Sequence, residues 1–411
     1  MYTLKWMLIA AMLLALGLVV SSCKPPCNPP DSLDELERPF GVSSGPPQDD
    51  KPKSINVFID GSGSMKGYTH PGGEYYSTFK LLLSRLPSDA EIKLYRFGPN
   101  SSPLMGDFRS NLNDILSSNF YHYSTTDICS PLGIIAKDKG SINLILTDGL
   151  DTSSGASGYQ VEFARSLRQH LGDKGYFSLM GKRARFQGRY FSIKEKQYID
   201  LGNDAKRPLF CLALSNRRYA DYIREKIGSL FDNTFDFGKL DNNELRYTYG
   251  KDGKTIPEGL SHSIDASRLP LTEYRLKGNG KELQFCQKNY QDSYGKVIDY
   301  RIAYKPFRDS LYKLIENKKG TVVAEEASKQ NEISYNIPFD LDKKGDYLIR
   351  ITYRKTLPQW ISDWSTDDDS QIENQTKAYM LKEWMQYILE NFGDLESLST
   401  TQYYFYICKR R

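Results

Sequence analysis

The apolar and polar positions of this chain fall into three textures. Between residues 54 and 232, short apolar runs alternate with segments whose apolar residues recur at helical spacing. Residues 55–59 (Ile-Asn-Val-Phe-Ile) and 142–146 (Ile-Asn-Leu-Ile-Leu) are nearly continuous runs, the pattern of strands buried on both faces of a parallel sheet. Residues 91–97, 176–180 and 209–214 predict further strands, the last closing the sheet. Tyr76, Phe79, Leu82 or Leu83, and Leu86 mark a helix that Pro87 ends, and Val161, Ala164, Leu167 and Leu171 mark one that Gly172 ends. Shorter helices are predicted at 111–116 and 131–136, and Tyr219, Ile223, Ile227 and Leu230 line the last. Residues 183–207 read as an insertion of β character. Alternation of this kind predicts an α/β fold, a doubly wound, mostly parallel sheet with helices on both faces.

From about Asp232 the period changes. Residues 297–304, 334–339 and 347–353 alternate as strands do, and the expectation is a β-rich unit, an antiparallel sandwich of immunoglobulin-like kind. Leu381, Trp384, Met385, Ile388, Leu389 and Phe392 then form one face of a helix that Gly393 ends. Asp367, Asp368 and Asp369 precede it and suit its N-terminus electrostatically. The apolar face is expected to pack on the sandwich or on the first domain. Residues 403–407 predict a final strand.

The N-terminus changes the picture of where these units work. Lys5 precedes an apolar stretch at 7–20, and Ser21-Ser22-Cys23 follows, the build of an export signal. Residues 20–23 resemble the bacterial lipobox, which implies that Cys23 becomes the lipidated first residue of the mature chain. Lys24 stands where an Asp would favour inner-membrane retention, which leans to the outer membrane. Residues 23–53 are Pro-rich and polar, an expected extended tether. The domains read as 1–22 signal peptide, 23–53 tether, 54–232 α/β domain, 233–358 β-rich domain, and 359–411 C-terminal helix and strand. The expected location is the bacterial cell envelope, with attachment to the membrane through the lipid. Six cysteines occur. With Cys23 lipidated an odd number remains, so they cannot all pair within one chain. The formal charge of +4 over 411 residues argues for no nucleic-acid partner.

The candidate chemistry lies where the two apolar runs end in acids. Asp60-Gly-Ser62-Gly-Ser64 follows the first, and Asp148-Gly149 follows Thr147 after the second. Ligand groups of open parallel sheets sit past the carboxyl ends of the strands, and one carboxylate with two hydroxyls there is a hard-oxygen set suited to Mg²⁺ or a similar cation. Gly61 and Gly63 are expected to permit a tight turn. Thr125 and Thr126 add hydroxyls before a helix. With these residues, 54–231 resembles the von Willebrand factor type A family. The family's metal-ion-dependent adhesion motif, Asp-x-Ser-x-Ser followed by a Thr and an Asp, maps onto Asp60, Ser62, Ser64, Thr126 and Asp148. Thr125 competes for the threonine position, and Asp151 is a second candidate acid. The resemblance implies direct contact from the serines and contact from the acids largely through water. The cation is expected to be Mg²⁺, with Ca²⁺ and Mn²⁺ as alternatives. It also implies an open position for the Asp or Glu carboxylate of a protein partner. Residues 67–73 look like an insertion on that face, with His70 a surface residue.

Several chemistries lack their residues. A haloacid-dehalogenase nucleophile needs an acid where Ser62 stands. No Gly-x-Ser-x-Gly elbow flanks Ser62 or Ser64, there is no Walker-type loop or HExxH spacing, and there is no CxxC pair. The expected function is an envelope-anchored binding module. Alternatives are a hydrolase with catalytic groups in the C-terminal half, and an assembly factor for an envelope complex.

Overall fold

The structure is a computed structural model, and it describes residues 30, 35–36, 38–40, 52–70, 72–138, 140–149, 158–171, 175–237, 245–249, 271–276, 282–288, 294–307, 309–315, 323–326, 332–338, 343–391 and 400–409. The signal peptide, Cys23, most of the tether, Asp151, Gly172 and Gly393 lie outside the described residues.

The first unit is a three-layer α/β/α domain. Its sheet has the order β3-β2-β1-β4-β8-β5-β9, with β1 at Ser54–Asp60, β2 at Glu91–Phe97, β3 at Ser101–Pro103, β4 at Ile142–Thr147, β5 at Gly175–Phe186, β8 at Ala205–Asn216 and β9 at Asn233–Phe237. β1 lies between β2 and β4, parallel to both. The period of two along β1 decides what each side chain meets. Ile55, Val57 and Ile59 join a core with Tyr75, Phe79 and Leu82 of α1 (Glu74–Arg85), Ile115 of α2 (Phe108–Ile115), and Tyr219, Ile223 and Ile227 of an irregular helical stretch at 217–230. Phe58 points to the other face. There it meets Leu132 and Ile135 of α3 (Ser130–Ile135) and Phe163 and Leu167 of α4 (Gly158–Leu171).

The expected last strand, 209–214, has a different place. β8 is antiparallel to both β4 and β5 and sits between them. Because β5 and β8 pair over all twelve residues of each, they form a long hairpin. Its tip is the small hairpin of β6 (Arg189–Ser192) and β7 (Gln197–Asp200). β9 then pairs with β5, so residues 233–237 belong to the first sheet and not to the β-rich unit.

The second unit contains two sheets. One has the order β10-β12-β16-β15, built from Leu245–Tyr249, Glu282–Lys288, Glu332–Pro338 and Val323–Glu326. The other has the order β11-β20-β17-β13-β14, built from Leu271–Leu276, Thr400–Lys409, Gly345–Lys355, Tyr294–Lys305 and Lys313–Leu314. Pairing is antiparallel except between β11 and β20.

Two segments cross between the units. Residues 359–391 return to the first domain. They carry α5 (Gln359–Asp363), β18 (Ser365–Thr366), β19 (Ala378–Tyr379) and α6 (Leu381–Asn391). Ile361, Leu381, Trp384, Met385 and Ile388 bury against Phe163, Phe177 and Leu212, and Trp384 stands edge-on to Phe163 at 5.0 Å between centroids. The apolar helix face thus packs on the first domain. Asp369 does not serve the N-terminus of α6. Its buried carboxylate accepts from Ser192 Oγ at 2.9 Å, Ile193 N at 2.9 Å and Lys194 N at 3.0 Å, closing the turn of the β6–β7 hairpin. The second crossing segment lies in the expected tether. Leu36 and Phe40 are buried with Ala303, Tyr312, Leu348, Tyr404 and Tyr406 of the second unit, so this part of the chain is packed.

Candidate metal centre

β1 and β4 are parallel neighbours with Ile59 opposite Leu146, which sets Asp60 beside Thr147 and leaves Asp148, one residue further on, near enough for its charge to act on Asp60. Both acids are excluded from solvent, at 0% and 1% exposure. Donors surround Asp60. Its Oδ1 accepts from the Ser62 backbone N–H at 2.9 Å and from Thr126 Oγ1 at 3.4 Å, and its Oδ2 accepts from Thr147 Oγ1 at 2.8 Å. Ser62 Oγ and Ser64 Oγ lie 3.0 Å apart. All five residues of the motif are thereby brought to one place, and it is Thr126, not Thr125, that reaches Asp60.

The loop holding the serines is fastened on two sides. Gly61 N donates to Phe97 O at 2.7 Å, at the end of β2. Tyr123 N donates to Gly61 O at 3.0 Å, and Gly63 N donates to Tyr123 O at 2.9 Å. Neither glycine uses a positive φ, so the expected reason for them does not hold. A Cβ on Gly61 would instead press on the Arg96 and Tyr123 side chains. Ser64 lies within a 3₁₀ turn, Gly63–Tyr68, in which Met65 and Tyr68 are buried. Tyr68 OH donates to Pro208 O at 2.7 Å, and Gln187 N donates to Gly67 O at 2.8 Å, which ties this turn to the long hairpin. His70 is buried at 8% exposure, with Nε2 3.2 Å from Arg185 O, and is not the expected surface residue.

Charge is the defining property of the site. Burial first, and the Asp148 carboxylate second, hold Asp60 well above the ordinary carboxylate range, against hydrogen bonds from Ser62 and Thr147. Two carboxylates in one solvent-excluded place repel, and a divalent cation held there would supply the missing positive charge. The donor set fits such an ion. Its oxygens are hard. An octahedral shell with ligands at about 2.1 Å puts neighbouring oxygens about 3.0 Å apart, which is the Ser62–Ser64 separation. Among the described residues, no group of three or more His, Cys, Asp and Glu side chains converges, so hydroxyls must make up the rest of any set built here.

Sequence reading missed Thr147 and the Tyr123 clamp. Thr147 directly precedes Asp148 and ends an apolar run, which is a usable signal. The clamp is made by backbone atoms and leaves none.

No family model and no curated protein matches the chain. A solved structure described as von Willebrand factor type A from Catenulispora acidiphila is similar at 11% identity with a TM-score of 0.27. The match covers 74% of this chain and 63% of that one, less than two thirds of its length.

Proposed function

We propose that the α/β domain is a recognition module. In this reading Asp60, Ser62, Ser64, Thr126 and Asp148 hold a divalent cation, Mg²⁺ foremost, at which a protein partner is bound through an Asp or Glu carboxylate. The observation that carries it is the convergence of two solvent-excluded carboxylates with three hydroxyls at the ends of adjacent parallel strands. The order of the five residues along the chain, which resembles the adhesion motif, supports it. The cation contributes a fixed positive charge that a partner carboxylate neutralises. The chain's own residues do the positioning. Thr147, Thr126 and the Ser62 N–H orient the Asp60 carboxylate. Ser62 and Ser64 are neutral donors, so they leave the cation's charge for the partner. The chain works from the bacterial envelope, leaning to the outer membrane, with Cys23 as its lipid anchor.

The test is a titration of chelator-stripped full-length protein with Mg²⁺, followed by calorimetry and by thermal unfolding. Saturating an intact site raises stability by about 2.7 kcal/mol at a hundredfold excess over Kd, and Asp60→Ala should lose this gain while remaining folded. Equal heats and equal shifts in Asp60→Ala and wild type would overturn the metal assignment. Partner capture that survives excess chelator would overturn the metal's role in recognition. Labelling with a fatty acid should mark wild type and spare Cys23→Ala.

A further inference from the structure

The second unit carries a feature that the recognition site does not use. Pro30, Leu36 and Phe40 are buried, and the short helical turn at Arg38–Phe40 lies against β13 and β14. Phe40 packs on Tyr404 at 5.8 Å between centroids, and the buried Arg350 guanidinium lies 5.3 Å from the Phe40 ring. The N-terminal strap is therefore part of the second unit's core. Its position limits the reach of whatever is attached before it. Leu36, the first residue seated in that core, stands thirteen positions after Cys23, and thirteen residues of fully extended chain span at most about 45 Å. A free tether over 23–53 would span about 100 Å.

The strand beside the strap is the outer strand of its sheet. Just before it Tyr312 is buried, with Lys305 Nζ 4.5 Å from its ring centroid. Around Tyr312, Leu311 and Leu314 are 56% and 43% exposed, and Lys313 between them is exposed. Single exposed leucines carry no meaning. Two of them at a sheet edge, Leu314 on β14 and Leu311 just before it, where uncovered apolar side chains invite association, and on the unit that the anchored end enters, have an evident cover. Leucines entering the interface with a lysine at the headgroup level is the chemistry of surface-bound segments.

We infer that the β14 edge, with Leu311, Lys313 and Leu314, is a membrane-contact surface, so that the second unit is the base of the anchored molecule and the metal loop belongs to the unit carried above it. This rests on lipidation of Cys23.

The experiment uses full-length lipidated protein in vesicles of phosphatidylethanolamine and phosphatidylglycerol. The photocrosslinker benzoylphenylalanine is placed at Lys313, at Lys66 on the metal loop, or at Tyr198 on the hairpin tip, all exposed positions. Fatty-acid labelling of Cys23 is measured in the same preparations. Labelled Cys23 with lipid adducts severalfold more abundant at 313 than at 66 and 198 supports the inference. Labelled Cys23 with adducts equal at the three positions, or greater at 66 or 198, overturns it and leaves the anchor standing. Unlabelled Cys23 removes the anchor and this inference together.

Discussion

At the scale of single residues, the metal loop depends on close approaches that only small side chains allow. Gly67 lies against the Phe186 ring, and an added Cβ would meet ring carbons of a side chain with no exposure of its own. Overpacking of this kind costs about 1–3 kcal/mol. Gly67→Ala should lower the urea midpoint and weaken Mg²⁺ uptake together, because the loop and the long hairpin meet there; an unchanged midpoint would show that the contact yields freely. At the opposite end of β1 and β4 from the metal loop a polar network replaces the apolar pattern. Asn56 Nδ2 donates to Asn143 Oδ1 at 2.8 Å, and Ser141 Oγ donates to Asp138 Oδ2 at 2.6 Å. Burial alone would raise Asp138, but bonds from Ser141 and Asn56 outweigh it and hold the carboxyl below its ordinary 3.8. A depressed acid stabilises the fold above its unfolded value and loses that contribution as pH falls through the folded one. Ser141→Ala should therefore be less stable than wild type at neutral pH, and the gap should close in acid. A gap that widens in acid, measured by urea unfolding at a series of pH values, would contradict this.

At the scale of elements, the long hairpin and its tip are where the fold departs most from simple alternation. The tip turn is held by Asp369, which is 177 residues from Ser192 along the chain, and Tyr190 OH donates to Asp369 O at 2.8 Å. Hydrogen bonds to a charged acceptor contribute about 1.5–3 kcal/mol each where both partners are buried. Asp369→Ala should release the turn without unfolding the sheet. Hydrogen exchange at the amides of Ile193 and Lys194 should accelerate strongly, while exchange within β1 and β4 should not. Amides in all three places accelerating alike would mean that the clamp supports the whole domain.

At the scale of the whole molecule, the two units are interlaced. The strap from the N-terminus enters the second unit, and residues 359–391 return to the first. Trp384, with 1% exposure, fills the layer beside α4, and truncating a buried tryptophan costs about 3–5 kcal/mol. Trp384→Ala should lower the unfolding midpoint of the first domain by that measure, and the fragment 54–237 should fail to unfold cooperatively. A cooperative, soluble fragment would show that the α4 face tolerates exposure.

The sequence alone was enough for whatever depends on local period and local chemistry. The buried runs at 55–59 and 142–146, the helices of the first domain, the change of texture toward the second unit and the five residues that gather at the candidate centre were all legible. A strand buried on both faces must be largely apolar, and its acid must stand at its end, as Asp60 does, or just past it, as Asp148 does. Only tertiary structure decided the partners. The antiparallel seat of β8 was hidden because the 209–214 run is equally apolar in either direction. Its direction is set by the hairpin that joins it to β5. The burial of His70, the clamp of Asp369 and the packing of Leu36 and Phe40 were hidden for a related reason. Each rests on a contact distant in sequence, and polar or Pro-rich neighbours give no sign of which distant surface will cover a residue.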